Sequence, residues 1–112
     1  MEIHWTGDVA ILIVEAGRVH NDNLAEQLVD PIMSAVRLGT KKIVIDLELC
    51  RSMSSKGVGE LVACKAFADQ HGATIMLCHV NTGLLDLLRQ LGLRDTFKIM
   101  PDQHLAIRSF EE

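Results

Sequence analysis

The chain has 112 residues, a net charge of −4 and an apolar fraction of 48%. That length suits one compact domain over residues 1–112 with a core that needs no disulfide or metal staple. The acidic balance without a basic cluster argues against a nucleic-acid footprint, and no apolar run approaches the length of a membrane span. Met1-Glu2-Ile3-His4 lacks the basic start and apolar centre of a signal peptide, so a cytoplasmic location is expected.

Ile3–Thr6 and Val9–Val14 are β-leaning runs split by Thr6-Gly7-Asp8, which predicts an antiparallel hairpin with Trp5 half-buried on it. Asn21-Asp22-Asn23 then offers caps for a helix over about Leu24–Leu38. Its expected core stripe is Leu24, Leu28, Ala35 and Leu38, with Ile32 at the edge. Pro31 removes a backbone donor and crowds the previous turn, predicting a kink or two helical pieces at Asp30-Pro31, and Gly39 ends the helix.

Lys42–Leu47 is apolar on both faces, as expected of a strand in the centre of a sheet. A polar loop follows, and Ser55 to about Gln70 is helical, with Gly57, Leu61, Cys64 and Ala68 on one narrow arc and Gly72 closing it. Thr74–Val80 is a second near-continuous apolar strand, so strand, helix and strand make a right-handed parallel βαβ unit. Thr82 can cap a short helix carrying Leu84, Leu85, Leu87, Leu88 and Leu91 as core. An extended piece at Thr96–Ile99 leads through Pro101-Asp102 to a last helix with Leu105, Ala106, Ile107 and Phe110.

The stretch Ile43–Gly59, IVIDLELCRSMSSKGVG, carries the most chemistry. It delivers hydroxyls to a helix N-terminus, where first-turn amides have no intrahelical partner and a hydroxyl caps the helix or holds an anion. Either Ser54 or Ser55 can be that cap. Asp46 and Glu48 flank the corner, either as solvated strand-end charges or as groups that shape the field felt by a partner. Cys50, Cys64 and Cys78 show no CxxC spacing, and the five histidines are dispersed, so no metal site is expected; Cys64 and Cys78 fit buried thiols.

A serine at a strand-to-helix corner invites comparison with a nucleophile elbow, but that motif needs glycine two residues before and after the serine. Around Ser55 those positions are Met53 and Gly57. His79 and Asp46 fall on neighbouring strands, yet a histidine in an apolar run is more often a satisfied core or strand-end residue. No catalytic residue is assigned.

In this order and spacing the elements resemble the STAS domain, the fold of bacterial anti-sigma factor antagonists. Two segments carry the resemblance, IVIDLELCRSMSSKGVGELV and NTGLLDLLRQLGLRDTF. It implies an α/β fold: a mixed β-sheet with an N-terminal antiparallel hairpin and a central parallel βαβ unit, covered by about four helices. It also implies a non-enzymatic role in transcription regulation, binding an anti-sigma factor that is itself a serine kinase. ATP and magnesium would belong to that partner, so no cofactor is expected here.

Laying Gly57-Val58-Gly59 on the family's Gly-Leu-Gly puts Ser55 at the phosphoacceptor, with Ser54 as the alternative. Ser54 then stands where the family has Asp, and Lys56 where it has Ser or Thr. The partner-binding surface the resemblance implies comprises Ser54, Ser55, Lys56, Gly57, Val58 and Glu60, with Asp22 and Asn23. Those two departures favour an alternative, a STAS scaffold or partner-binding module that is not phosphorylated.

Overall fold

A computed structural model describes residues 2–14 and 28–111. The strands are β1 (Glu2–Thr6), β2 (Val9–Ile13), β3 (Lys42–Asp46), β4 (Thr74–Cys78) and β5 (Lys98–Met100). Among the described residues the helices are α1 (Asp30–Arg37), α2 (Ser55–Gln70), α3 (Thr82–Gln90) and α4 (Gln103–Ser109).

The five strands form one sheet in the order β1-β2-β3-β4-β5. Gly7, at φ 60°, takes a turn position that side chains resist, and β1 folds back antiparallel on β2. Every other pairing is parallel, with Ile13 beside Asp46, Asp46 beside Cys78, and Cys78 beside Met100. β3 is therefore central, as its two-faced apolar pattern requires.

Alternation along the strands sorts the core onto two faces. Ala10, Leu12, Ile43, Ile45, Ile75 and Leu77 meet the apolar sides of α1, α2 and α3, including Ile32, Leu61 and Leu88. Val9, Ile11, Val44, Met76 and Cys78 face the other way and are covered by Ala106, with Ile107 and Phe110 packed against them. Among the described residues, three helices thus lie on one face and α4 on the other.

The predicted elements recur with local corrections. Trp5 is 58% exposed rather than half-buried, because it projects from the edge strand β1. The buried stripe is Ile32 and Val36 of α1 with Leu28 just before it, each four residues from the next, while Leu38 is 88% exposed. Leu38 caps the C-terminus of α1, and the Gly39 reversal at φ 99° turns it away from the sheet. Helical winding changes at Asp30-Pro31, where a wider π-type turn at Leu28 and Val29 gives way to α1 with proline in its first turn. The stretch upstream of Leu28, with the predicted caps at Asn21-Asp22-Asn23, lies outside the described residues.

α2 occupies the predicted span, and Gly57, Leu61, Cys64 and Ala68 are all buried. Leu91 and Leu105 are exposed, since helices of nine and seven residues have a buried stripe too narrow to include them. The last strand begins two residues later than expected, at Lys98, leaving Phe97 to fill the larger core.

Candidate functional site

The corner after β3 is built by a chain of backbone and side-chain bonds. The Cys50 amide donates to Leu47 O at 3.0 Å, and the Cys50 thiol approaches Ser52 O at 3.4 Å. Asn81 supplies the brace. Its Nδ2 donates to the carbonyls of Cys50 and Arg51, both at 3.1 Å, while its Oδ1 accepts from the Leu84 amide at 2.8 Å. One side chain thus caps α3 and holds the β3–α2 loop, so the cap is Asn81 and not Thr82. An asparagine can do both because its amide carries acceptor and donors together.

The two serines divide their roles. Ser54 has extended backbone and its Oγ accepts from the Gly57 amide at 3.1 Å, which makes it the N-cap of α2. Ser55 is the first helical residue and is exposed, as is Lys56. Gly57 and Val58 are buried beneath them. Glu60 is half-buried, and its Oε2 has no hydrogen-bond partner among the described residues. The accessible part of the corner is thus Ser55 and Lys56 with the edges of Ser54 and Glu60. Asp22 and Asn23 lie outside the described residues.

A second cluster lies at the same end of the sheet but on the α4 face. Asp46 is only 4% exposed, which corrects its reading as a solvated strand-end charge. Burial of a carboxylate demands donors, and three converge on it. The Glu48 amide donates to Oδ1 at 2.9 Å, His79 Nδ1 lies 3.0 Å from the same oxygen, and Gln103 Nε2 donates to Oδ2 at 2.5 Å. His79 Nε2 stands 3.6 Å from Glu48 Oε2. His79 also holds φ at 55°, a conformation strained for a residue with a Cβ.

All three cysteines are buried and unbridged. Burial pushes the Cys78 thiol up to about 12, helped by the carboxylates of Asp46, Asp102 and Glu48. Cys64 is pushed up to about 11 by burial and by Glu60, and burial also raises Cys50. None is a reactive thiolate at neutral pH. The register that pairs Asp46 with Cys78, and the turn that folds His79 back, bring these three residues within 4.8 Å of one another at their ligand atoms. The sequence places His79 and Asp46 on neighbouring strands but does not reveal their convergence with Cys78, because Asp46 meets that adjacent pair only through strand register.

A family model described as "Mlab, STAS domain" matches residues 6–101. The chain belongs to this STAS family. Solved STAS structures share the fold across nearly the whole length. An anti-sigma-factor antagonist (STAS) domain protein from Planctomyces limnophilus aligns with a TM-score of 0.80 at 15% identity, covering 96% of this chain and 94% of that one. The Bacillus cell fate determinant SpoIIAA in its phosphorylated form aligns at 0.73 and 16%, covering 96% and 97%. A serine-to-glutamate variant of Moorella thermoacetica RsbS aligns at 0.83 and 13%, covering 98% and 93%. No curated protein matches the chain. The STAS domain described here therefore has an anti-sigma factor antagonist-like fold, and no helix among its described residues is long and apolar enough to cross a membrane.

Proposed function

We propose that this STAS domain is a regulatory, non-catalytic, cytoplasmic protein that binds an anti-sigma factor or related serine kinase through the corner at Ser54, Ser55, Lys56 and Glu60. Phosphorylation of Ser55 switches that binding. The observation that carries this reading is the division of labour between the serines. Ser54 is engaged as the cap, whereas Ser55 is exposed and its hydroxyl has no structural task among the described residues.

A phosphoryl group on Ser55 would add about −1.5 to −2 charges. At the first turn of α2 the fold tolerates it, because the dipole and the open amides offset it by roughly 0.3–1 kcal/mol. A partner packed flush on the corner would have to desolvate the dianion at a cost of several kcal/mol, enough for a hundredfold loss of affinity or more. That a protein of the same fold, SpoIIAA, exists in a phosphorylated form supports the chemistry.

Lys56 favours a second reading, a partner-binding module without the switch, since an exposed ammonium beside Ser55 partly neutralises an added phosphate. Mass spectrometry of the protein isolated from its own cells, in growth and under stress, separates the two. A condition-dependent phosphoryl group on Ser55, absent from Ser55→Ala, supports the switch. An unmodified protein that still carries a bound partner overturns it in favour of the module.

A further inference from the structure

We propose that Asp46, Cys78 and His79 form a binding site for a borderline-soft divalent cation of the zinc class. The inference is independent of the role of Ser55, which lies on the opposite face of the sheet.

The donor set is one carboxylate oxygen, one thiol sulfur and one imidazole nitrogen, the three side-chain types that zinc takes in tetrahedral sites with one position left for water. Their ligand atoms already lie within 4.8 Å of one another. His79 Nδ1 and Asp46 Oδ1 are 3.0 Å apart. Two bonds of about 2.0–2.1 Å to a tetrahedral ion require roughly 3.3 Å between such atoms, and a bond of about 2.3 Å to sulfur requires roughly 3.6 Å from sulfur to nitrogen. The pair therefore opens by a few tenths of an ångström while the thiol closes by no more than about one.

The supporting shell is also present. Gln103 holds the outer oxygen of Asp46, and the Glu48 amide holds the inner one. With Nδ1 on the cation, neutral His79 carries its proton on Nε2, which faces Glu48 Oε2 at 3.6 Å. A carboxylate behind a ligating histidine orients the ring and raises its basicity. Asp46 and Cys78 are buried while His79 is 28% exposed, so the imidazole edge marks the entry path.

Binding forms bonds from Asp46 Oδ1, Cys78 Sγ and His79 Nδ1 to the cation. The thiol proton leaves to solvent, and the imidazole proton moves from Nδ1 to Nε2. No oxidation state changes. The cation would join the ends of β3 and β4 beside the first residue of α4.

The test is a Co2+ titration of the full chain, followed by displacement with Zn2+ and by native mass spectrometry. A thiolate-to-cobalt absorption band at one equivalent, abolished by Zn2+, is expected. It should persist in Cys50→Ser and Cys64→Ser and vanish in Cys78→Ser. His79→Gly is the variant that protects the test from misfolding, because glycine adopts the φ of 55° without strain. It should retain the native circular dichroism and weaken Co2+ binding by at least about 100-fold, since losing a ligand costs no less than losing a supporting residue. Absence of a thiolate band, a band that survives in Cys78→Ser, or Co2+ binding as tight in His79→Gly as in the parent overturns the proposal.

Discussion

His79 reaches back across the β3–β4 pairing to place Nδ1 3.0 Å from Oδ1 of Asp46, and it does so from a left-handed backbone conformation at φ 55°. A left-handed residue with a Cβ costs roughly 1–2 kcal/mol. A hydrogen bond to a buried charged group contributes about 1.5–3 kcal/mol, enough to offset that strain.

Two substitutions separate these contributions. His79→Ala keeps the strain and loses the bond, and should lower stability by about 2 kcal/mol. His79→Gly loses the bond but relieves the strain, and should fall no more than about 1 kcal/mol below the parent. Urea denaturation gives the order. An alanine variant as stable as the glycine variant would show that the backbone stores no strain at this position.

Asp46→Ala leaves the Glu48 amide, the Gln103 amide and His79 without their acceptor on the α4 side of the sheet. Stranding several donors in a largely buried site should cost about 2–4 kcal/mol. Denaturation midpoints check the size of the loss. Hydrogen exchange should locate the loosening at the start of α4.

Asn81→Ala removes a helix cap and both braces on the β3–α2 loop, for an expected loss of about 1–2 kcal/mol. Asn81→Asp keeps the cap, but sets a carboxylate against the carbonyls of Cys50 and Arg51. Amides of the Cys50–Met53 loop should therefore exchange faster in both variants, whereas the first turn of α3 should loosen only in the alanine variant. Equal protection of the loop in all three proteins would remove Asn81 from its bracing role.

Ser54→Ala should destabilise the protein by about 1 kcal/mol through loss of the α2 cap. Ser55→Ala, at an exposed first-turn position, should stay within about 0.5 kcal/mol of the parent. Thermal unfolding of the pair measures this. The reverse order would make Ser55 the structural serine and weaken its candidacy as a phosphoacceptor.

The buried thiols set an alkaline limit. In the unfolded chain they ionise near 9, while in the fold Cys64 holds its proton to about 11 and Cys78 to about 12. The unfolded state therefore releases protons first, so stability is full below pH 9 and declines as pH rises towards 12. Cys64→Ala should show a shallower decline over that window in pH-dependent denaturation. An unchanged slope would mean that Cys64 is not protected by the fold.

Local residue patterns dictate the elements and their order. The unbroken apolar runs at Ile43–Ile45 and Ile75–Cys78 can be satisfied only by burial on both faces, and the Gly57, Leu61, Cys64 and Ala68 arc only by a helix against them. The exposed hydroxyl corner at Ser54-Ser55 was legible for the same reason, being local in the chain. Long-range packing settles which serine caps α2, that Asn81 rather than Thr82 caps α3, and that Asp46 is buried. It also set Asp46, Cys78, His79 and Gln103 around one point. Those outcomes depend on strand register and on packing between residues 31 and 57 positions apart, and neither propensity nor periodicity carries information across such separations.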